Sequence, residues 1–215
     1  MQVKNESKYK EESTMKILID NCFHWIHFYI VQKYLEEGHI VYGVDSIMDS
    51  KEEFLYEMIG RNSNFILLDS LKEVKKEGLK EDTIFITNEV SKKVNIPCSH
   101  FFLLEERDAS EERDVQQDNH FYIYLPAVIG PWMERKKFQK RKNSKAEPLF
   151  IEDVVNWFYH FVTSLNKRNI IIMKAKGEAI HKDHISLLRQ FSHEKAIQIV
   201  EEHLLRFHYF YSDEK

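Results

Sequence analysis

Residues Lys16 to Asp45, KILIDNCFHWIHFYIVQKYLEEGHIVYGVD, decide the fold. Ile17, Leu18 and Ile19 form a short apolar run of the kind a buried parallel strand uses, without polar alternation. A helical pattern follows through Ile26, Ile30, Val31, Tyr34 and Leu35 and stops at Gly38. Ile40 to Val44 then reads as a second strand, and Asp45 ends it where a carboxylate takes the hydroxyls of an adenosine ribose in a dinucleotide-binding unit. In the variant nearest this spacing the intervening turn reads G-x-x-G-x-x-G. Here those three positions are Asn21, His24 and His27. The scaffold is present and its glycines are not.

Other features bound the class. A chain of 215 residues holds one domain, or one domain and a small appendage, and buries a sizeable core. Its 43% hydrophobic and 13% aromatic content argues for a folded globule. A formal charge of −4 excludes a globally basic nucleic-acid binder, and no apolar run reaches the roughly 20 residues that span a bilayer. Residues 1–14 are polar and charged, without the apolar core of a signal peptide, and are expected to form a disordered tail. Cys22 and Cys98 make no disulfide framework, so the expected compartment is a reducing cytoplasm.

Along the chain, helical stretches are expected at about 51–59, 151–165, 182–191 and 194–207. Strands are expected at 64–68, 83–87, 101–104, 121–125 and 170–173. Their alternation predicts an α/β fold, a Rossmann-like parallel sheet flanked by helices, with a small helical C-terminal part. Glu105 to Asn119 is acid-rich and reads as a mobile loop.

Three ordered segments carry a resemblance. Lys16 to Ile19 with Trp25, Ile26 and the run Gly38 to Asp45 resembles K-I-L-V-T-G-G-A-G-F-I-G followed by G-H-x-V-x-G-V-D. Leu125 to Met133, LPAVIGPWM, resembles L-P-x-V-Y-G-P-W, and Phe150 to Val155, FIEDVV, resembles F-I-x-D-V-V. The chain is thereby similar to the extended short-chain dehydrogenase/reductase family, the NAD-dependent nucleotide-sugar epimerases and dehydratases. The resemblance implies a trimmed domain over 15–215, with about 126–215 as a reduced substrate-type part. It places a vestigial cofactor site at Asn21, His24, Trp25, Ile26 and Asp45, and a substrate or anion site at Trp132, Arg135, Lys136 and Lys137.

The family's catalytic parts are missing from the pattern. In the family, the strand matching 83–87 is followed by a long helix, a strand ending in serines, and a helix bearing Y-x-x-x-K, helices that also build its dimer interface. Only a short charged stretch fills that interval here. Two Y-x-x-x-K matches exist, Tyr29 with Lys33 and Tyr211 with Lys215. With 10 tyrosines and 23 lysines in 215 residues, about one arises by chance. Tyr29 falls on the first helix and Lys215 ends the chain, so neither makes a dyad that would hold ribose and move a proton. Ser99 precedes a strand instead of ending one.

The remaining candidates each have a plain structural reading. The open N–H groups at the first helix's start suit a small anion, which a protonated histidine would assist below neutral pH. Cys22, His24 and His27, and separately His181 and His184, have ligand-like spacings, but 11 histidines produce such pairs by accident. The segment RKKFQKRKNSK, from Arg135 to Lys145, reads first as a solvated charged loop. A diphosphate, an acidic protein, a nucleic acid or the chain's own acidic loop are the alternative occupants. Trp132 serves either as a ligand-stacking ring or as a packing anchor, and Asp153 complements a helix dipole. The expected function is that of a non-catalytic binding or protein-interaction module with no cofactor. The alternative is a diverged NAD(P)-dependent enzyme or a nucleotide-sugar sensor. The expected partners are a protein, a nucleotide or a small anion, with neither specific nucleic acid nor membrane.

Overall fold

The computed structural model describes residues 14–75, 77, 79, 82–88, 97–106, 120–164, 170–174, 184–186 and 189–211. The expected tail at 1–14 lies outside them except for Thr14. Among the described residues, one sheet is built from β1 (Lys16–Asp20), β2 (Ile40–Val44), β3 (Phe65–Leu68), β4 (Ile84–Thr87), β5 (His100–Glu106) and β6 (His120–Leu125). It is completed by β9 (Ile170–Lys174) and β10 (His184–Ser186). The order is β10-β9-β6-β5-β4-β1-β2-β3 and every pairing is parallel. The order β3-β2-β1-β4-β5-β6 is that of the doubly wound dinucleotide-binding fold, whose ligand crevice opens at the carboxyl ends of β1 and β4.

Helix α1 (Trp25–Glu36) follows β1, and its sequence explains its depth. Eight of its residues are buried, and only Tyr29, Gln32, Lys33 and Glu36 remain partly or fully open. A helix apolar nearly all round packs on more than one neighbour. It closes at Gly38, whose φ of +80° lets its N–H reach the Leu35 carbonyl and the His39 N–H reach that of Tyr34. Helix α2 (Ser50–Ile59) is capped by Asp49, whose carboxylate accepts the Glu52 N–H at 2.8 Å, and Glu52 in turn accepts the N–H of the preceding Met48 at 2.7 Å.

Strands β7 (Val128–Ile129) and β8 (Leu149–Phe150) pair with each other, bracketing helix α3 (Arg135–Lys142). Helix α4 (Ile151–Thr163) follows directly and packs beside α1. Helix α5 (His193–Arg206), capped by Ser192 on the Lys195 N–H, leads into a 3-10 turn at His208–Tyr211. One core joins Ile17, Ile19, Ile86, Phe102 and Ile123 of the sheet to α1, α4 and α5. A smaller one on the opposite face gathers Leu18, Val44, Leu68 and Phe85 under Val74 and Leu79.

The three motif segments meet at Gly130. A Cβ there would lie 2.4 Å from Ile151 Cγ2 and 3.1 Å from Trp25 Cζ3, so only glycine lets these segments close.

Two local expectations fail. The segment predicted as a helix over 182–191 contains β10, which joins the sheet edge beside β9. The basic stretch predicted as a solvated loop is helix α3 over most of its length. Phe138 anchors it in the core, Arg141 pairs with Glu106 at 2.8 Å and also donates to the Val128 carbonyl, and Lys142 pairs with Glu201. Glu105 and Glu106 of the predicted acidic loop belong to β5; residues 107–119 lie outside the described part. No helix among the described residues is long and apolar enough to cross a membrane.

Candidate functional site

The turn after β1 keeps its backbone shape with other side chains. Asn21 has φ +56°, the left-handed conformation glycine would supply, and asparagine is among the few residues that tolerate it. Its N–H donates to the Val44 carbonyl at 2.8 Å, and the His24 N–H returns to the Asn21 carbonyl at 3.0 Å. Phe23, where the family has alanine, is 4% exposed and sets its ring edge-on to Tyr56.

Asp45 is turned into this loop. Its Oδ2 accepts the Phe23 N–H at 2.9 Å and its Oδ1 accepts the Ser46 N–H at 2.9 Å. The carboxylate expected to read a ribose therefore fastens the turn to the end of β2.

The two histidines differ in depth. His27 is fully buried, and its Nδ1 donates to the carbonyls of Asp20 (2.7 Å) and Asn21 (3.1 Å), leaving Nε2 without a partner. Its ring fills the space that a third glycine would leave for close helix–strand contact. His24 stands at the N-cap of α1 without a capping bond, edge-on to His27 at 5.5 Å, and its Nδ1 is also unpaired. Burial first, then His27, Lys137 and Lys51, push its pKa down to about 3, so it is neutral. A protonated imidazole assisting an anion is thus disfavoured at this position. Burial likewise lowers the pKa of His27.

The side chains of Trp25 and Ile26 are buried in the main core, with the Trp25 ring against Gly130. The helix axis turns them inward, since the first glycine-loop positions and the core-facing stripe coincide there.

Trp132 is a packing anchor. It is 4% exposed with φ +67°, an unusual conformation for so large a residue, and is held from both sides. Its N–H donates to the Tyr211 hydroxyl at 3.0 Å, and Lys51 Nζ donates to its carbonyl at 2.8 Å. Its ring packs among His203 (4.2 Å), Phe207 (5.0 Å), Phe54 (5.7 Å) and Phe210 (5.8 Å). The Tyr211 hydroxyl also meets His203 Nδ1 at 3.1 Å; burial first, then Lys51 and Arg206, push the His203 pKa down to about 4. The C-terminal segment thus packs against the Trp132 ring. Of the predicted cations, Arg135 and Lys136 are exposed on the first turn of α3, and Lys137 pairs with Glu134 at 2.6 Å. Lys137 alone of the three reaches His24 electrostatically. Lys51, Tyr211 and His203 escape sequence reasoning because their roles come from contacts across the chain.

The chance dyads stay apart from this turn. Lys33 pairs with Glu37 at 2.6 Å, and Lys215 lies outside the described residues. Ser99 donates to the Thr83 carbonyl at 3.2 Å, at the start of β5. At the carboxyl ends, the Thr87 hydroxyl donates to buried Asp20 at 3.1 Å, tying β4 to β1. Asp153 accepts the Gln190 N–H at 2.9 Å, pinning the segment before α5 as well as complementing the α4 dipole. Among the described residues, no three His, Cys, Asp or Glu side chains gather as metal ligands. His181 lies outside them, and His184 falls on β10.

A dinucleotide needs close backbone approach at the second loop position, free N–H groups and an available ribose acceptor. The turn offers an imidazole, a Phe23 N–H already bonded, and a carboxylate committed to the backbone. These residues do not fit the cofactor as they stand.

No protein-family model matches the sequence, and no curated protein sequence matches it. Solved structures do match its fold. WbmG of Bordetella bronchiseptica in complex with NAD is 10% identical, with a TM-score of 0.59 over 93% of this chain and 96% of that one. The dTDP-glucose 4,6-dehydratase of Bacillus anthracis in complex with NAD is 9% identical, with a TM-score of 0.59 over 94% and 100%. WbmH of Bordetella bronchiseptica in complex with NAD+ is 9% identical, with a TM-score of 0.52 over 91% and 100%. At such identities the likeness shows the fold: the Rossmann-like architecture of the epimerases and dehydratases, as the sequence motifs implied.

Proposed function

We propose that the chain is a non-catalytic relative of the NAD-dependent nucleotide-sugar epimerases and dehydratases, acting as a binding or protein-interaction module. The observation that carries this reading is the bond from the Phe23 N–H to Asp45. It engages the Phe23 N–H and takes up one lone pair of the carboxylate at the position expected to read ribose. His24 and His27 at glycine positions support it, as does the lack of a credible tyrosine–lysine pair in the sequence. On this reading no cofactor is required.

A second reading, a diverged NAD(P)-dependent enzyme or nucleotide-sugar sensor, draws on the NAD named with several structures of the same fold. Thermal-shift titrations with NAD+, NADP+, ATP and UDP-sugars separate the two. The module reading expects no saturable stabilisation by NAD+ or NADP+, and recovery of a stoichiometric protein partner from native lysate. A ligand present at 100 times its Kd would stabilise by about 2.7 kcal/mol, so a clear, saturable rise with either dinucleotide overturns it. Turnover in a His24→Gly, His27→Gly variant would overturn it too, since restoring glycines supplies no acid–base pair.

A further inference from the structure

The outer flank of the α1–α4 pair carries a groove of about 410 Å³, lined by Tyr29, Gln32, Glu36, Glu152, Val155 and Asn156, with Lys33 at its side. It lies along two helices and not at the carboxyl ends of the strands, so it is separate from the turn described above. Its size falls within the range of small-molecule sites.

Its chemistry is one-sided. Lys33, the cation among the described lining residues, is paired: its ammonium bonds Glu37 at 2.6 Å and sits 5.2 Å from the centre of the Tyr159 ring. Among the described residues, the side chains of Tyr29, Gln32, Glu36, Glu152 and Asn156 have no hydrogen-bond or ion-pair partner. Among the described residues the groove therefore presents two carboxylates without an ion-pair partner, a phenol and two amides above the apolar surfaces of Val155 and the Tyr29 ring. Half-buried Glu152 feels this directly, since burial first, then Asp153 and Glu36, raise its pKa. Glu36 adds negative charge at the C-terminal end of α1, where the helix dipole already disfavours it.

We propose that this groove binds a small linear organic cation bearing primary amines. Ammonium groups match the lining: each supplies donors to carboxylate, amide and phenol oxygens, and none is required to accept. A methylene chain between them would lie on Val155 and the face of Tyr29, where a cation also gains from the ring quadrupole. An anion would meet two carboxylates at close range, and a wholly apolar ligand would leave five polar groups unpaired.

The test is calorimetric titration of the full chain with spermidine at low ionic strength. Saturable one-to-one binding is expected. It should weaken at least tenfold in Glu152→Gln, several-fold in Glu36→Gln, and not at all in Glu53→Gln on exposed α2. Side-chain chemical-shift changes at Tyr29 and Asn156 in the unmodified protein provide a readout independent of variant folding. Absence of saturable binding, equal affinity in Glu152→Gln, or shift changes that spare Tyr29 and Asn156 would overturn the proposal. So would binding of the peptide acetyl-Arg-Gly-Arg-amide at this groove without binding of spermidine, which would assign the groove to a partner polypeptide.

Discussion

At the amino end of the sheet, His39 is buried and fully paired: its Nδ1 accepts the Met15 N–H at 3.3 Å and its Nε2 meets the Tyr159 hydroxyl at 3.1 Å. At the carboxyl end, His24, His27 and His203 each leave one buried ring nitrogen without a partner. Both regions place imidazole in low dielectric, but only one completes its hydrogen bonds. Among the described residues, the amino-end imidazole is held through both ring nitrogens, whereas the three at the carboxyl end are held by packing and through at most one.

Several measurements bear on that contrast. The largest effect belongs to Trp132→Ala, which empties the centre of the aromatic cluster and should cost about 3–5 kcal/mol in chemical denaturation. A cost below about 1 kcal/mol would mean that the C-terminal segment does not close over this residue. His39→Ala should cost about 2–3 kcal/mol, since it removes a buried ring together with the hydrogen bonds at both of its nitrogens. His24→Ala, which gives up no side-chain hydrogen bond, should cost clearly less; equal values would break the comparison.

Acid provides the next test. His24 and His203 stay neutral when folded, with pKa values pushed down to about 3 and 4, whereas the unfolded chain protonates them near 6.5. The unfolded state then binds more protons below that pH, so their stabilising contribution is complete above about 6.5 and is lost as pH falls toward 4. Denaturation midpoints should drop over this window, and His24→Asn should flatten the slope by an amount on the order of 1–2 kcal/mol at pH 5. An unchanged slope would show that His24 is not held neutral by its surroundings. The smallest effects lie at Asn21, where the left-handed backbone predicts a loss of about 1 kcal/mol in Asn21→Ala and a neutral or slightly favourable Asn21→Gly.

Much of the fold is legible in local pattern. The strand–turn–helix–strand unit, the stop at Gly38 and the parallel sheet follow from apolar runs and helical spacing, because a buried parallel strand and a deeply packed helix need those side chains. Helix α3 was less visible: RKKFQKRK has a single apolar residue, although lysine, arginine and glutamine are good helix formers and its cations suit the C-terminal dipole end. Strand β10 replaced an expected helix because pairing with β9 overrides local preference. At the site, the exchange of glycines for Asn21, His24 and His27 was readable, but the inward burial of Trp25 and Ile26 was not. Resemblance marks where a motif lies, not which of its side chains face the crevice.

The sequence by itself determined the architecture and the presence of Asn21, His24 and His27 where the dinucleotide-binding pattern has glycines, since both reside in short-range pattern. Tertiary structure alone decided that Asp45 bonds the Phe23 N–H and that Gly130 is where three motif segments converge. It also decided that Trp132 is enclosed by residues 79 positions further on, with Tyr211 on its N–H. Those outcomes depend on which distant side chains compete for the same volume and the same hydrogen bonds. Local pattern specifies neither until the chain has closed on itself.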